Sequence, residues 1–300
     1  MRVVVRLAGG LGNQLFQYAA GRSIALAAGG RVELDRSSFA SDPLRRRFAL
    51  GRFPIHAAER DLDGWRRRVV DLPGIWRLAR ATGAWPSLGG TRFAFDRLRG
   101  FDPRIATRAE TLVLTGYWQD EAYFAAAGET LAGELDPSAS FPDATRRLGS
   151  ELASAATLAV HVRRSDFTDP KSPHGSCSPA YHRAAVAWIR SQTALDRILV
   201  FSDDVAWAKN SLHLDAAFET LERDPARGDD EELWLMSRCR HLVIANSSFS
   251  WWAAWLAERR AGGTGTLVAC PARWYRPAAG PIPHPAPPRW RRIADPDSPA

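Results

Sequence analysis

The feature that most constrains the fold is a recurring unit in both halves of the chain: a short, β-rich apolar run that ends in glycine or polar residues and leads into a helical pattern. Val3 to Leu7 ends in Gly9-Gly10-Leu11-Gly12, after which Leu15, Phe16, Ala19, Ala20 and Ile24 recur at helical spacing up to Gly29-Gly30. Val32-Glu33-Leu34 reads as the next strand, so the chain opens as a βαβ unit of a parallel sheet. Thr111 to Thr115 reads as another strand, with a helix expected from Asp120. Later strands at Thr157 to Val162, Ile198 to Phe201, His241 to Ala245 and Leu267 to Ala269 alternate with helices at Pro179 to Ser191, Glu231 to Arg238 and Ser248 to Arg260. Such alternation implies an α/β protein of two facing Rossmann-like domains built on parallel sheets. The expected boundaries are 1–145, 146–276 and an extended or disordered proline-rich tail, 277–300. Asp136 to Asp143 is the expected linker. Between Asp35 and Gly100, arginine clusters and tryptophans without a clean period suggest short helices and loops.

Composition narrows the function classes. Apolar residues make up 45% and charged residues 24% of 300, ordinary for a folded globular chain. The net charge of +7 rests almost wholly on arginine, since Lys171 and Lys209 are the only lysines, and the arginines are spread along the chain. That spread argues against a nucleic-acid partner. Cys177, Cys239 and Cys270 form no zinc-type spacing and read as reduced thiols. Met1 runs straight into a strand pattern, and no stretch reaches the ~18–20 apolar residues of a membrane span, so a cytoplasmic protein is expected. From Trp65 to Trp85, arginines mix with Val69, Val70, Ile75, Trp76 and Leu78. This mixture suits an interfacial helix in peripheral contact with the inner leaflet of the cytoplasmic membrane, but Pro73-Gly74 interrupts the period, which favours the plainer reading of a solvated helix.

Ligands of open parallel sheets bind at the carboxyl ends of strands, and each strand here delivers polar groups there. Thr157 to Val162 delivers His161, then Arg163, Arg164, Ser165 and Asp166. Adjacent side chains diverge, so one arginine is expected on phosphate and the other on a carboxylate. His241 to Ala245 delivers Asn246, Ser247 and Ser248 at a helix start, a natural anion site. Phe201 is followed by Ser202, Asp203 and Asp204, expected to hydrogen-bond ribose or base or to cap the next helix rather than to hold Mg²⁺. Gly10 and Gly12 permit close backbone approach in a turn without dinucleotide spacing, and Asn13 and Gln14 top the helix behind them. These four are expected to face a ligand cleft, and Tyr117, Trp118 and Gln119 stand likewise at the end of the Thr111 to Thr115 strand.

The stretches GGLGNQLFQYAAG, GYWQDEAYF, HVRRSDF, FSDD and LMSRCRHLVIANSSFSWWAAWL, in that order, resemble the α-1,2-fucosyltransferases of glycosyltransferase family 11. The resemblance spans Gly9 to about Trp274. It implies a GT-B type fold and a metal-independent, inverting transfer of L-fucose from GDP-fucose to the 2-hydroxyl of a galactose-type glycan, with no cofactor. In more distant fucosyltransferases one arginine of the matching motif binds the donor diphosphate, which points to Arg163 or Arg164. A carboxylate that reads guanine in those relatives matches Glu232, where aspartate is usual, and Ser165 replaces a usual glycine. On this resemblance Gly10, Gly12, Asn13 and Gln14 are expected on the donor and Tyr117, Trp118 and Gln119 on the acceptor, with Asp166 the leading general base and His161 the second. Transfer of a related GDP-deoxysugar such as colitose, or nucleotide-sugar binding without catalysis, is the alternative.

Overall fold

In the computed structural model, which describes residues 1–105, 109–164, 167, 174–262, 265–277 and 282–297, the chain divides into two units, Met1–Leu135 and Asp136–Ala300.

The first unit begins with β1 (Arg2–Arg6), α1 (Leu11–Ala27) and β2 (Arg31–Asp35), and β2 pairs parallel to β1. The stretch after it holds α2 (Gly64–Asp71) and α3 (Ile75–Thr82), but also three strands that the sequence pattern hid: β3 (Ala57–Glu59), β4 (Ser87–Leu88) and β5 (Thr91–Phe95). β5 is buried on Phe93, Ala94 and Phe95, yet the arginines and glycines around it blur its strand period. With β6 (Thr111–Thr115) the sheet runs β3-β2-β1-β6-β5-β4, parallel except for the β4–β5 hairpin. Val4, Phe93, Phe95 and Val113 pack on Leu62, Val70 and Ala79, so α2 and α3 cover one face of the sheet. Each buried valine, leucine or phenylalanine among them contributes roughly 1.5–3 kcal/mol. The helix expected from Asp120 is instead a pair of 3₁₀ turns, Glu121–Tyr123 and Ala125–Ala127, before α4 (Gly128–Glu134). Packing of Tyr123 on Trp118 and of Phe124 on Phe16 overrides helical propensity there. Glu134 ties α4 to α1: it accepts from the Tyr18 hydroxyl and lies 2.6 Å from Arg22 Nη2. Burial and that hydrogen bond push the Tyr18 phenol well up.

The second unit contains α5 (Asp143–Ser154), β7 (Thr157–Val162), α6 (Pro179–Gln192), β8 (Arg197–Ser202), α7 (Val205–Ser211), β9 (Glu219–Thr220), α8 (Asp229–Arg238), β10 (His241–Val243), α9 (Ser248–Arg260), β11 (Val268–Pro271) and β12 (Arg291–Ile293). Its sheet runs β12-β11-β10-β7-β8-β9 and every pair is parallel. All six residues of β7 are buried, as its central place requires. A boundary at 145 would cut α5. That helix belongs wholly to the second unit, where Thr145 donates to Glu231 at 2.7 Å and Phe141 packs edge-on against Trp234. The proline-rich tail is likewise no appendage. Pro285, Ala286, Pro287 and Trp290 are buried, Trp251 Nε1 donates to the Pro285 carbonyl at 3.0 Å, and β12 joins the sheet beside β11. Among the described residues no helix is long and apolar enough to cross a membrane.

Candidate active site

In the second unit the chain leaves β7 toward β8 and β9 on one side, and leaves β10 toward β11 and β12 on the other. β7 and β10 are neighbours, so their carboxyl ends form the switch point where such sheets bind ligands. Arg163 and Arg164 stand at the end of β7. Asp203 braces both: its Oδ2 lies 3.2 Å from Arg163 Nη1 and its Oδ1 accepts the Arg164 amide at 2.9 Å. Asp204 caps α7 by accepting the Trp207 amide at 3.0 Å and lies 3.7 Å from Arg164 Nε, too far for a hydrogen bond. The Arg164 guanidinium instead lies 3.9 Å from the Trp207 ring centroid. Its Nε is a buried donor with no hydrogen-bond partner among the described residues, which leaves it able to donate to a ligand oxygen. Trp207 is a functional neighbour that sequence reasoning missed; the available signal was an aromatic one turn beyond an acidic pair that caps a helix.

The end of β10 leads into α9, whose N-cap Ser247 makes no side-chain cap and whose first turn carries no acid. α6 and α7 are capped by side chains, Ser178 accepting the Tyr181 amide and Asp204 that of Trp207, while α5 and α8 lack a side-chain cap but carry acids in their first turns. The amides at the start of α9, with Ser247 and the half-buried Ser248, are therefore offered to an anion. Asn246, expected on the ligand, is spent on architecture. Its Nδ2 donates to the carbonyls of His174, Gly175 and Trp274 at 3.0–3.1 Å, and its Oδ1 accepts from Cys177 Sγ. Trp251, Trp252 and Trp255 are core residues. Glu232, in the first turn of α8, is half-buried; desolvation first, then Asp229, raises its carboxyl pKa.

His161 is buried beneath this site, its ring 5.7 Å from Phe249. Burial first, then the Arg163 charge, push its pKa down to about 3. The imidazole is neutral at pH 7 but a feeble proton acceptor, which counts against it as a general base. Asp166 and Ser165 lie outside the described residues.

In the first unit the switch point falls between β1 and β6. Gln17 bridges their ends, accepting the Ala8 amide through Oε1 and donating to the Gly116 carbonyl through Nε2, both at 3.0 Å. Gly10 and Gly12 begin α1, and Gln119 Nε2 donates to Asn13 Oδ1 at 2.8 Å, so Asn13 and Gln119 meet here. Gln14 is fully buried: its Nε2 donates to the Gly9 and Arg47 carbonyls and its Oε1 accepts the Ala49 amide. It anchors the loop instead of facing a ligand. Trp118 is buried too, wedged edge-on against Tyr123 and Trp85, and offers no acceptor platform. Tyr117 remains half-buried at the strand end. Asp96, which sequence reasoning missed, holds this turn by accepting the amides of Leu98, Tyr117 and Trp118. Gly116 has φ +137, and a Cβ there would lie 2.2 Å from Asp96 Cβ.

Two parallel sheets with polar switch points define the GT-B class of glycosyltransferases, and solved structures agree on the fold. NodZ, an α-1,6-fucosyltransferase soaked with GDP-fucose, matches with TM-score 0.51 and 15% identity over 85% of this chain and 92% of its own. An Arabidopsis thaliana FUT1 mutant in complex with GDP matches with TM-score 0.51 and 15% identity, over 89% and 69%. Residues 95–275 match the glycosyl transferase family 11 model, and the chain belongs to that family. An α-1,2-colitosyltransferase of Escherichia coli is 27% identical over 295 residues, 97% of this chain and 98% of the relative. The O-antigen biosynthesis glycosyltransferase WbnK of Escherichia coli is 26% identical, covering 90% and 93%. The galactoside 2-α-L-fucosyltransferase SEC1 of Bos taurus is 33% identical over 120 residues, 37% of this chain and 30% of its own.

Proposed function

We propose that this glycosyltransferase moves a GDP-linked L-galacto deoxysugar, L-fucose or its 3-deoxy counterpart colitose, onto the 2-hydroxyl of a galactose-type acceptor, with inversion and without a metal ion. The observation that carries the reading is that the neighbouring strands β7 and β10 deliver at their ends Arg164, whose Nε has no hydrogen-bond partner among the described residues, and the uncapped, acid-free start of α9: a guanidinium and helix amides that can serve diphosphate oxygens. Preorganised donors of this kind stabilise a departing GDP by a few kcal/mol each. Glu232 suits the N1–H and amino donors of guanine. In this proposal Asp166 takes the acceptor proton, supported by its place two residues beyond Arg164 and by the feeble basicity of His161. The linkage is supported by relatives whose names specify α-1,2 transfer, among them the full-length colitosyltransferase, which is the observation favouring colitose, and the partly aligned fucosyltransferase.

The same proposal gives α2 and α3 a peripheral membrane role, because Trp65, Leu72 and Leu78 are exposed beside Arg67, Arg68 and Arg77, a combination complementary to an anionic lipid surface. The deciding experiment supplies radiolabelled GDP-fucose and GDP-colitose to a panel of galactosides with and without EDTA. Transfer that survives EDTA supports the reading. Activity abolished by EDTA and restored by Mg²⁺ refutes metal independence, and binding without transfer or hydrolysis refutes catalysis.

A further inference from the structure

The loop after β2, with Arg67 of α2, walls a cavity of about 630 Å³ in the first unit. Arg45, Arg46 and Arg47 all line it. Neighbouring side chains of an extended chain point to opposite sides, so three in succession on one wall require a break in the backbone. Arg45 supplies it, with φ +51 in the left-handed region that residues other than glycine seldom enter. Arg36 and Arg67 add two more guanidiniums, each with a carboxylate nearby: Arg36 pairs with Glu59, and Arg67 Nε lies 3.5 Å from Asp71. Arg45 and Arg47 are exposed and form no ion pair among the described residues. The wall is not uniformly basic. Asp42 and Asp61 each spend one oxygen on a backbone amide, of Leu44 at 2.8 Å and of Arg36 at 3.0 Å, and Phe39 and Phe48 add apolar faces.

The cavity adjoins the strand ends of the same unit. A Cβ on Gly10 would lie 3.3 Å from Arg46 Nη1, and the Tyr117 phenol feels the charges of both Asp42 and Arg46. α1 starts beside it with no side-chain cap and no acid in its first turn, so helix amides add to the positive field.

We infer that this cavity binds the phosphate of a phosphorylated acceptor sugar, with Arg45 and Arg47 on the phosphate oxygens and Asp42 and Asp61 accepting from sugar hydroxyls. Phosphate is favoured over carboxylate because several converging guanidiniums exceed the single fork that one carboxylate takes up. The volume accommodates a glycosyl phosphate. The inference rests on the transferase reading above for calling the ligand an acceptor, but its test does not depend on turnover.

The test is calorimetry of galactose 1-phosphate binding to the full chain, with and without saturating GDP. Arg45→Ala and Arg47→Ala should each weaken binding roughly tenfold or more, with Arg47→Lys recovering part of the loss. Neutral galactose should be indifferent to all three substitutions. Melting temperatures of the variants establish that they are folded. Inorganic phosphate bound as tightly as the sugar phosphate, and lost in the same variants, would overturn the sugar part and leave a free-anion site. Unchanged affinity in folded variants, no binding by the unsubstituted chain, or displacement of galactose 1-phosphate by GDP overturns the inference. A transfer assay that fails with every donor leaves this binding result standing, so the two readings fail separately.

Discussion

Arg164→Ala should separate the two adjacent arginines, because the structure holds them differently. Arg163 is tied to Asp203 at 3.2 Å, whereas Arg164 rests on Trp207 and its Nε has no hydrogen-bond partner among the described residues. Removing Arg164 costs the folded protein little. Its ion pair with Asp204, 3.7 Å long with side chains 25% and 43% exposed, contributes at most about 1 kcal/mol after solvent screening. The stacking on Trp207 contributes about 0.5–1 kcal/mol. The melting temperature should therefore fall by a few degrees at most. The loss in GDP binding is larger: one charge-assisted contact to phosphate is about 1.5–3 kcal/mol, or roughly 10–150-fold in Kd. Arg164→Lys keeps the charge but not the planar fork and should fall between. Arg163→Ala frees Asp203, which also holds the Arg164 amide, and should lower stability and affinity together. Titration calorimetry with GDP beside thermal melts reads all four proteins. An Arg164→Ala variant that binds GDP within twofold of the unsubstituted chain refutes the reasoning. A selective loss confined to Arg163→Ala would exchange the two roles.

Asp166→Asn should lower turnover roughly 10²–10⁴-fold with GDP affinity and melting temperature kept; parallel loss of all three would make it a brace for an arginine. Folded His161 titrates at about 3 against 6.5 for the free side chain, so only the unfolded chain binds its proton between those values. Stability should therefore be intact above about pH 6.5 and fall as pH drops toward 3, by about 1.4 kcal/mol per pH unit for this group, and His161→Gln should flatten the melting profile. Asp96→Ala leaves one buried and two half-buried amides without their acceptor and should destabilise by about 2–5 kcal/mol, with Asp96→Asn milder, as denaturant melts would report. Co-sedimentation with anionic vesicles should be strong for the intact chain and weak for Trp65→Ser/Leu78→Ser; equal pelleting with neutral vesicles would refute the lipid assignment.

The parts of this molecule that could be read from sequence are those in which local pattern and environment coincide. β7 is buried along its whole length and reads as an unbroken apolar run, so the arginines that follow it are visibly at a strand end. The same holds for β10 and the serines before α9. What escaped reading depends on partners distant in the chain. Gln14, near the start of α1, and Asn246, just past β10, look like ligand contacts because polar residues in such places usually face solvent or substrate. Here their hydrogen bonds reach Arg47 and Trp274. Burial obliges such groups to find partners, and sequence does not say which. Trp118 misleads in the opposite sense: its place after β6 suggests an acceptor contact, while Tyr123 and Trp85 enclose it. The Arg45–Arg47 wall depends on a single left-handed residue, and nothing in the arginine run announces it.

The choice between the two donors turns on one hydroxyl, and the physical chemistry is asymmetric. Colitose lacks the 3-hydroxyl of fucose. A site that hydrogen-bonds that hydroxyl leaves a buried polar group bare when colitose is bound, and sites of this kind reject the deoxy analogue by about 10⁴–10⁵. A site that meets the 3-position with apolar atoms rejects the hydroxylated sugar by only about 10². The ratio of kcat/KM values for GDP-fucose and GDP-colitose is thus a reading of the contact itself. A preference for fucose beyond 10³ requires a polar group at the 3-position. A preference for colitose of 10² or less requires an apolar contact, and the same enzyme must then transfer fucose measurably. Full-length similarity to a colitosyltransferase and partial similarity to a fucosyltransferase are compatible on this second footing, because an apolar contact lets one scaffold serve both sugars.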